Sequence, residues 1–278
     1  AWGAFEVYQT WKSDPARIKA PAQGEPLRAV AFQTNGVLDH DWAVGTLGIA
    51  PGTGMMALDL FALRDRLLAS GQVRAAVLER NFPDTLSVTV EERDPVARIV
   101  AREPGGRTEM FLVDRAGVMY PGVNYPKSLL SALPYLADAR LRPAANGGGL
   151  APIEGMETVA NLIGTARAYI PALFSGWRAI SLARLASDGV LVVRSTDVET
   201  LIFGTRDDFF KQVAQLDFIV DESRARAVAW PVKIIDLSVG RTVSGAQIPV
   251  IYGEAPQISG QTRRAAPPRP AEGHIFQR

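Results

Sequence analysis

Cysteine is absent from the 278 residues, which removes disulfides, thiolate nucleophiles and cysteine-ligated metals in one step. Histidine is nearly absent as well: only His40 and His274 occur, so a His-rich zinc site or a Ser-His-Asp triad in a folded core would depend on His40 alone. A surface histidine is the simpler reading. No excess of one charge exists either, since 30 basic and 29 acidic residues leave a formal net charge of +1 and give no electrostatic reason to expect nucleic acid. No segment approaches the roughly 18 consecutive apolar residues of a membrane span. The opening AWGAFEVYQTW also lacks the basic, apolar and cleavage-site succession of a signal peptide. Because the chain opens on Ala1 rather than methionine, processing or trimming upstream is expected, and the missing span says little about the native protein.

Two apparent catalytic signatures fail on chemistry. GIAPGTGMM, residues 48–56, looks like a phosphate-binding loop, but the lysine and hydroxyl positions of a P-loop hold Met55 and Met56. Without an ammonium for the phosphates or a hydroxyl for the metal, it reads as a connection between helices. Paired carboxylates could serve a glycosidase. Asp207 and Asp208, however, read as helix starters, and Glu91 and Glu92 as one exposed and one corner residue.

What is present is a globular composition, with 47% hydrophobic and 21% charged residues, enough for one large or two ordinary domains. The most informative stretch is residues 73–96, VRAAVLERNFPDTLSVTVEERDPV. Leu86, Val88 and Val90 alternate with Ser87, Thr89 and Glu91, the period of a strand with one buried face, and a Phe82-Pro83-Asp84 corner joins it to the strand before. Residues 1–27 carry Trp2, Phe5, Tyr8 and Trp11 at helical spacing before Pro15, Pro21 and Pro26. They read as a lead-in packed on the first domain or as interfacial aromatics near a membrane. A strand over 27–34 ends at Asn35-Gly36, a short helix fits 37–44, and Asp59 opens a helix that Ser70-Gly71 stops.

Downstream, strands are predicted over 96–101, 111–113 and 118–120, with a loop-rich connection over 121–149. A helix carries Met156, Val159, Ile163 and Ile170 up to Pro171. Strands over 177–185, 190–194 and 199–203 precede a helix with Phe209, Val213, Leu216 and Val220, and 233–239 and 247–251 read as closing strands. From Gly253 onward few apolar anchors remain, and a disordered tail is expected. Arg93 and Glu92 in the corner read either as a local salt bridge or as a joint that fixes two domains.

The strand-helix-helix-strand-strand order and the motif Arg80, Phe82, Pro83, Asp84, Thr85, Leu86, Glu92, Arg93, Pro95, Val96 and Ala97, with Asp94 before the proline, resemble the FtsQ/DivIB family of bacterial cell-division proteins. Leu112-Val113-Asp114 with Gly117-Val118-Met119-Tyr120, and Ile235-Asp236-Leu237, are similar to later parts of that family. The resemblance runs over about residues 28–252 and is strongest over 70–120.

The resemblance implies an α+β chain. Residues 1–27 would be a membrane-proximal lead-in, 28–95 a POTRA domain of β-α-α-β-β order, 96–252 a β-rich domain with flanking helices, and 253–278 a disordered tail. It further implies a single transmembrane helix upstream of Ala1, an inner-membrane protein with this part in the periplasm at the division septum, no cofactor and no metal. The expected role is a non-enzymatic scaffold of the division machinery that binds FtsB- and FtsL-like proteins by strand addition at a late edge of the β-domain. Val239 stands where better-known members carry a tyrosine. Val239, Ile248 and Val250, with Lys211 on the preceding helix, are the candidate partner-binding residues, and Pro249 fits an edge because it lacks an N–H. The alternative is a POTRA-bearing protein of outer-membrane assembly or secretion, which would carry tandem repeats or a barrel that the sequence does not show.

Overall fold

The alternation at Leu86, Val88 and Val90 builds the middle strand of a small sheet. A computed structural model describes residues 25–102, 106, 108–144, 149–225, 232–239 and 248–253. In it, β1 (Ala29–Thr34), α1 (His40–Leu47), α2 (Leu60–Ala69), β2 (Val73–Asn81) and β3 (Thr85–Glu92) follow one another, with a single 3-10 turn at Met55–Ala57 between the helices. The sheet order is β1-β3-β2, β3 running parallel to β1 and antiparallel to β2. Leu86, Val88 and Val90 point into a core shared with Leu47, Leu63 and Leu67 of the helices and with Met55. Each helix starts where its sequence offers a carboxylate cap: Asp39 accepts from the Trp42 amide at 2.8 Å, and Asp59 from the amides of Phe61 and Ala62. The first helix therefore begins three residues later than residues 37–44 suggest, and Gly48, at φ 56°, closes it.

The second unit is a nine-stranded sheet made of β4 (Pro95–Arg102), β5 (Thr108–Asp114), β6 (Met119–Tyr120), β7 (Tyr135–Ala137), β8 (Trp177–Ser181), β9 (Val190–Ser195), β10 (Thr200–Gly204), β11 (Val232–Asp236) and β12 (Val250–Tyr252). Its order is β12-β11-β10-β9-β8-β7-β4-β5-β6. Pro95, the last residue assigned from sequence to the first domain, opens β4 opposite Asp114 of this sheet. Two long helices, α4 (Met156–Tyr169) and α7 (Phe209–Ala225), contribute Val159, Ile163, Val213 and Leu216 to one core with Ile99, Ile180, Leu191, Leu201 and Ile235 of the strands. Three shorter helices complete the described elements: α3 (Lys127–Ala132), α5 (Pro171–Phe174) and α6 (Leu185–Asp188).

Three sequence expectations change here. The connection over 121–149 contains α3 and, at Tyr135–Ala137, a strand in the middle of the sheet, parallel to both β4 and β8. Three residues flanked by Pro134 and Asp138 are too few to show alternation, so only the neighbouring strands reveal them. The strand predicted over 177–185 ends at Ser181, and α6 takes the chain to Gly189 at φ 67°, where the backbone needs the left-handed region. The closing strand predicted over 233–239 ends at Asp236, whose carboxylate accepts from the backbone N–H and hydroxyl of Ser238 and turns the chain away.

The described residues include no helix long and apolar enough to cross a membrane. The lead-in up to residue 24, residues 103–105, 107, 145–148, 226–231 and 240–247, and the tail from 254 lie outside the described residues.

Candidate functional site

The sequence motif lies in the small sheet and its joint to the large one, whereas the candidate binding edge is an outer strand of the large sheet, and they do different work. Arg80 is a clamp: its Nε donates to the Met55 carbonyl at 2.8 Å and a terminal nitrogen donates to Leu58 O at 2.5 Å, fastening the loop that precedes α2 to the end of β2. Asp84 O accepts from the amides of Arg28 and Ala29, fixing where the chain enters β1, and the Asp84 carboxylate accepts from Thr85 Oγ1. Leu86 is fully buried, whereas Phe82, followed by a cis bond to Pro83, is exposed.

Glu92 and Arg93 build the joint between the two sheets, but not by pairing with each other. The Glu92 side chain is buried; Oε1 accepts from Thr34 Oγ1 at 2.5 Å and from the Leu38 amide at 2.8 Å, while Oε2 accepts from Gln72 Nε2 at 2.8 Å. Gly36 exists at this spot because a Cβ there would lie 2.3 Å from the Glu92 carboxyl carbon. Arg93 reaches across to Asp114 at 2.7 Å and donates through Nε to Gly71 O at 3.0 Å. The local Glu92–Arg93 salt bridge considered from sequence is thus replaced by two cross-links, because burial leaves each group room only for the partners the fold delivers.

The carbonyl of Arg93 accepts from the hydroxyls of Tyr120 and Tyr125, both at 3.1 Å. Burial pushes the Tyr120 hydroxyl far above its ordinary value, with the neighbouring Tyr125 hydroxyl adding to the effect. Gln72 closes the joint: its amide donates to Val123 O at 3.2 Å and accepts from Val123 N at 2.9 Å, mimicking a strand pair between the two units. Nothing in the sequence around Gln72 marks it, since a single amide after Ser70-Gly71 reads as loop.

The cleft beside this joint holds about 740 Å³ and is walled by Arg74, Glu91, Arg93, Asp94, Asp114 and Glu157 among others. Its three arginines are paired, Arg74 with Glu91, Arg93 with Asp114, and Arg115 with Glu157 at 3.6 Å, while the remaining acids leave the lining with an acidic excess. It offers no nucleophile with a base beside it. Elsewhere His40 Nε2 lies 3.1 Å from Val30 O at the edge of β1, and Asp208 accepts from the Phe210 amide as a helix cap. Among the described residues no group of three or more His, Asp or Glu side chains is placed to hold a metal ion.

At the far end, β12 is the outermost strand of the nine. It pairs antiparallel with β11 through Ile235 and Val250, Ile234 and Ile251, and Val232 and Tyr252. No described strand lies on its other side. The carbonyl of Pro249 accepts from the Asp236 amide at 3.1 Å, so the proline sits at the start of an edge, where its missing donor leaves no gap. β11 itself is held parallel to β10, and Gln212 of α7, the crossover helix, pins that unit by donating to Gly204 O at 2.7 Å and accepting from Gly204 N at 2.8 Å.

Of the candidate partner-binding residues, Val239 is exposed just past β11, whereas Ile248 and Val250 are half-buried and pack on the core. Lys211 is exposed on α7, beside Phe210, rather than on the edge. The exposed apolar side chains on the edge itself are Ile251 and Tyr252, which sequence reasoning missed. Ile251 belongs to a row that the register carries across the sheet through Tyr135, Ala179, Arg194, Thr200 and Ile234. Alternation places that row on the face opposite Val250 and the core.

The small β-α-α-β-β unit coupled to a large mixed sheet defines a POTRA-bearing α+β protein. The FtsQ-type POTRA domain family matches residues 25–93, which are the first sheet, its helices and the Arg93 joint. The chain is also 31% identical over 117 residues to the cell division protein FtsQ of Mycobacteroides abscessus, covering 42% of this chain and 36% of that protein. It is 36% identical over 88 residues to the cell division protein FtsQ of Mycolicibacterium smegmatis, covering 32% of this chain and 24% of that one. Residues 25–93 are an FtsQ-type POTRA domain, and the chain is similar to FtsQ proteins over part of its length. Each match spans well under half of the relative's length.

Proposed function

We propose that this protein acts in bacterial cell division as a non-enzymatic scaffold, docking an extended segment of a partner along the free edge of β12. The supporting observation is that edge: a terminal strand with its outer side unpaired among the described residues, bearing exposed Ile251 and Tyr252 and preceded by a proline. An unpaired strand edge offers backbone donors and acceptors for strand addition, and alternate side-chain positions supply selectivity. In this reading Val239, Ile251 and Tyr252 meet the partner, Ile248 and Val250 hold the edge strand to the core, and Lys211 borders the site from α7. The partners are other division proteins of the FtsB and FtsL kind. The protein sits in the inner membrane by a helix preceding Ala1, with the described part in the periplasm at the septum.

The test pairs binding with backbone protection. Amide exchange on β12 should slow when the periplasmic part of such a partner is added, and Ile251→Asp or Tyr252→Asp should abolish both the protection and the binding. Val77→Asp, on the exposed edge strand β2 of the POTRA sheet, should leave both intact. Unchanged binding by the β12 variants, or dependence on Val77 instead, would refute docking at β12. Normal division after depletion of the protein would refute the cellular role.

A further inference from the structure

The motif residue Phe82 is not used by the joint or by the β12 edge, and its surroundings give it a different task. The ring is 63% exposed at the β2–β3 corner, Phe61, at the start of α2, is 75% exposed, and Met56 of the 3-10 turn is 58% exposed. The same backbone bonds gather all three at one end of the POTRA domain. Arg80 ties the end of β2 to Met55 and Leu58, Asp84 O accepts from Arg28 and Ala29, and the Leu27 and Met55 amides donate to Thr53 O and Glu25 O. Three separate turns therefore present large apolar tips at the end where the chain enters the domain.

Three carboxylates at this end are engaged locally. Asp59 caps α2, Asp84 accepts from Thr85, and Glu25 lies 3.5 Å from Arg28. The 24 residues that lead to Glu25 carry Trp2, Phe5, Tyr8 and Trp11, side chains that favour a lipid–water boundary. Large apolar tips on separate turns, at the end of the domain that a lead-in rich in Trp and Phe joins in sequence at Glu25, fit a lipid–water boundary.

We infer that Met56, Phe61 and Phe82 form a membrane-contacting tip, through which the POTRA domain rests its chain-entry end in the headgroup region of a lipid bilayer. This inference stands apart from the partner reading, since neither requires the other's residues.

The absence of cysteine allows a direct test on the full chain. Phe61→Cys, Phe82→Cys and Phe218→Cys are each labelled with a polarity-sensitive fluorophore and mixed with phosphatidylethanolamine/phosphatidylglycerol vesicles containing spin-labelled lipid. Phe218, 70% exposed on α7, is an equally exposed control on the other unit. Probes at 61 and 82 should shift to the blue and be quenched, while the probe at 218 should not respond. Phe61→Ser combined with Phe82→Ser should lower vesicle partitioning roughly tenfold or more, since each ring removed from water contributes substantially. No response at 61 and 82 with vesicles present would overturn the inference, as would an equal response at 218. A blue shift before lipid is added would also overturn it, because the tip would then be covered by residues 1–24 or by a second copy.

Discussion

The Arg93–Asp114 pair should behave as a structural coupling between the two sheets, and its magnitude can be worked from the geometry. The two side chains are 19% and 9% exposed and approach to 2.7 Å, so removing one partner strands the other charge in a poorly solvated place. Breaking such a buried pair costs about 3–5 kcal/mol. Arg93 also keeps its bond to Gly71 O, which places the expected loss near the lower limit, about 3 kcal/mol. Asp114→Asn is the informative variant, because Oδ1 can still accept from the Val118 amide, a 2.9 Å bond that closes the β5–β6 turn. With a urea m-value of about 3 kcal/mol per molar, the midpoint should fall by about 1 M. A cycle of Asp114→Asn, Arg93→Met and the double variant should show coupling of about 2 kcal/mol in equilibrium unfolding. Additive single effects, with coupling below about 0.5 kcal/mol, would refute a joint that acts as a unit.

Other predictions concern the same neighbourhood. Glu92→Gln should cost about 2 kcal/mol in the same assay, because an amide nitrogen must face either Leu38 N–H or the Gln72 amide, whose own groups are committed to Val123. Gly36→Ala should destabilise by a similar amount, since the added methyl would displace a carboxylate held by three bonds; an unchanged midpoint would show that the loop moves aside. Arg80→Met should lose about 2 kcal/mol and speed amide exchange in the loop before α2. For Tyr120, the folded-state pKa is raised above the unfolded value of about 10, so its contribution is fully present below that pH and is lost as pH rises past it. Tyr120→Phe should therefore flatten the alkaline fall in stability, and an unchanged slope above pH 10 would count against the burial of that phenol.

The strand of Leu86, Val88 and Val90 was legible because one buried face imposes a period of two, and α2 because Asp59 and Ser70-Gly71 mark its ends. The strand at Tyr135–Ala137 was not legible, since three residues between β4 and β8, of which only Leu136 is buried, are too few to carry a period of their own. The binding-edge residues were only half legible. Alternation could be read over 247–251, but which of Ile248, Val250 and Ile251 faces the core depends on the register with β11, and that register is set by non-local pairing.

By itself the sequence determined the local elements, the absence of cysteine and metal-binding chemistry built on it, and the likeness to the FtsQ/DivIB family through the residues from Arg80 to Ala97. Those features are local, fixed by side-chain periodicity, caps and turn chemistry. Only the tertiary structure decided that Glu92 turns inward to Thr34, Leu38 and Gln72 while Arg93 turns outward to Asp114. Glu92 ends β3 and Arg93 opens the connection to β4, so the two side chains meet partners from distant parts of the chain rather than each other.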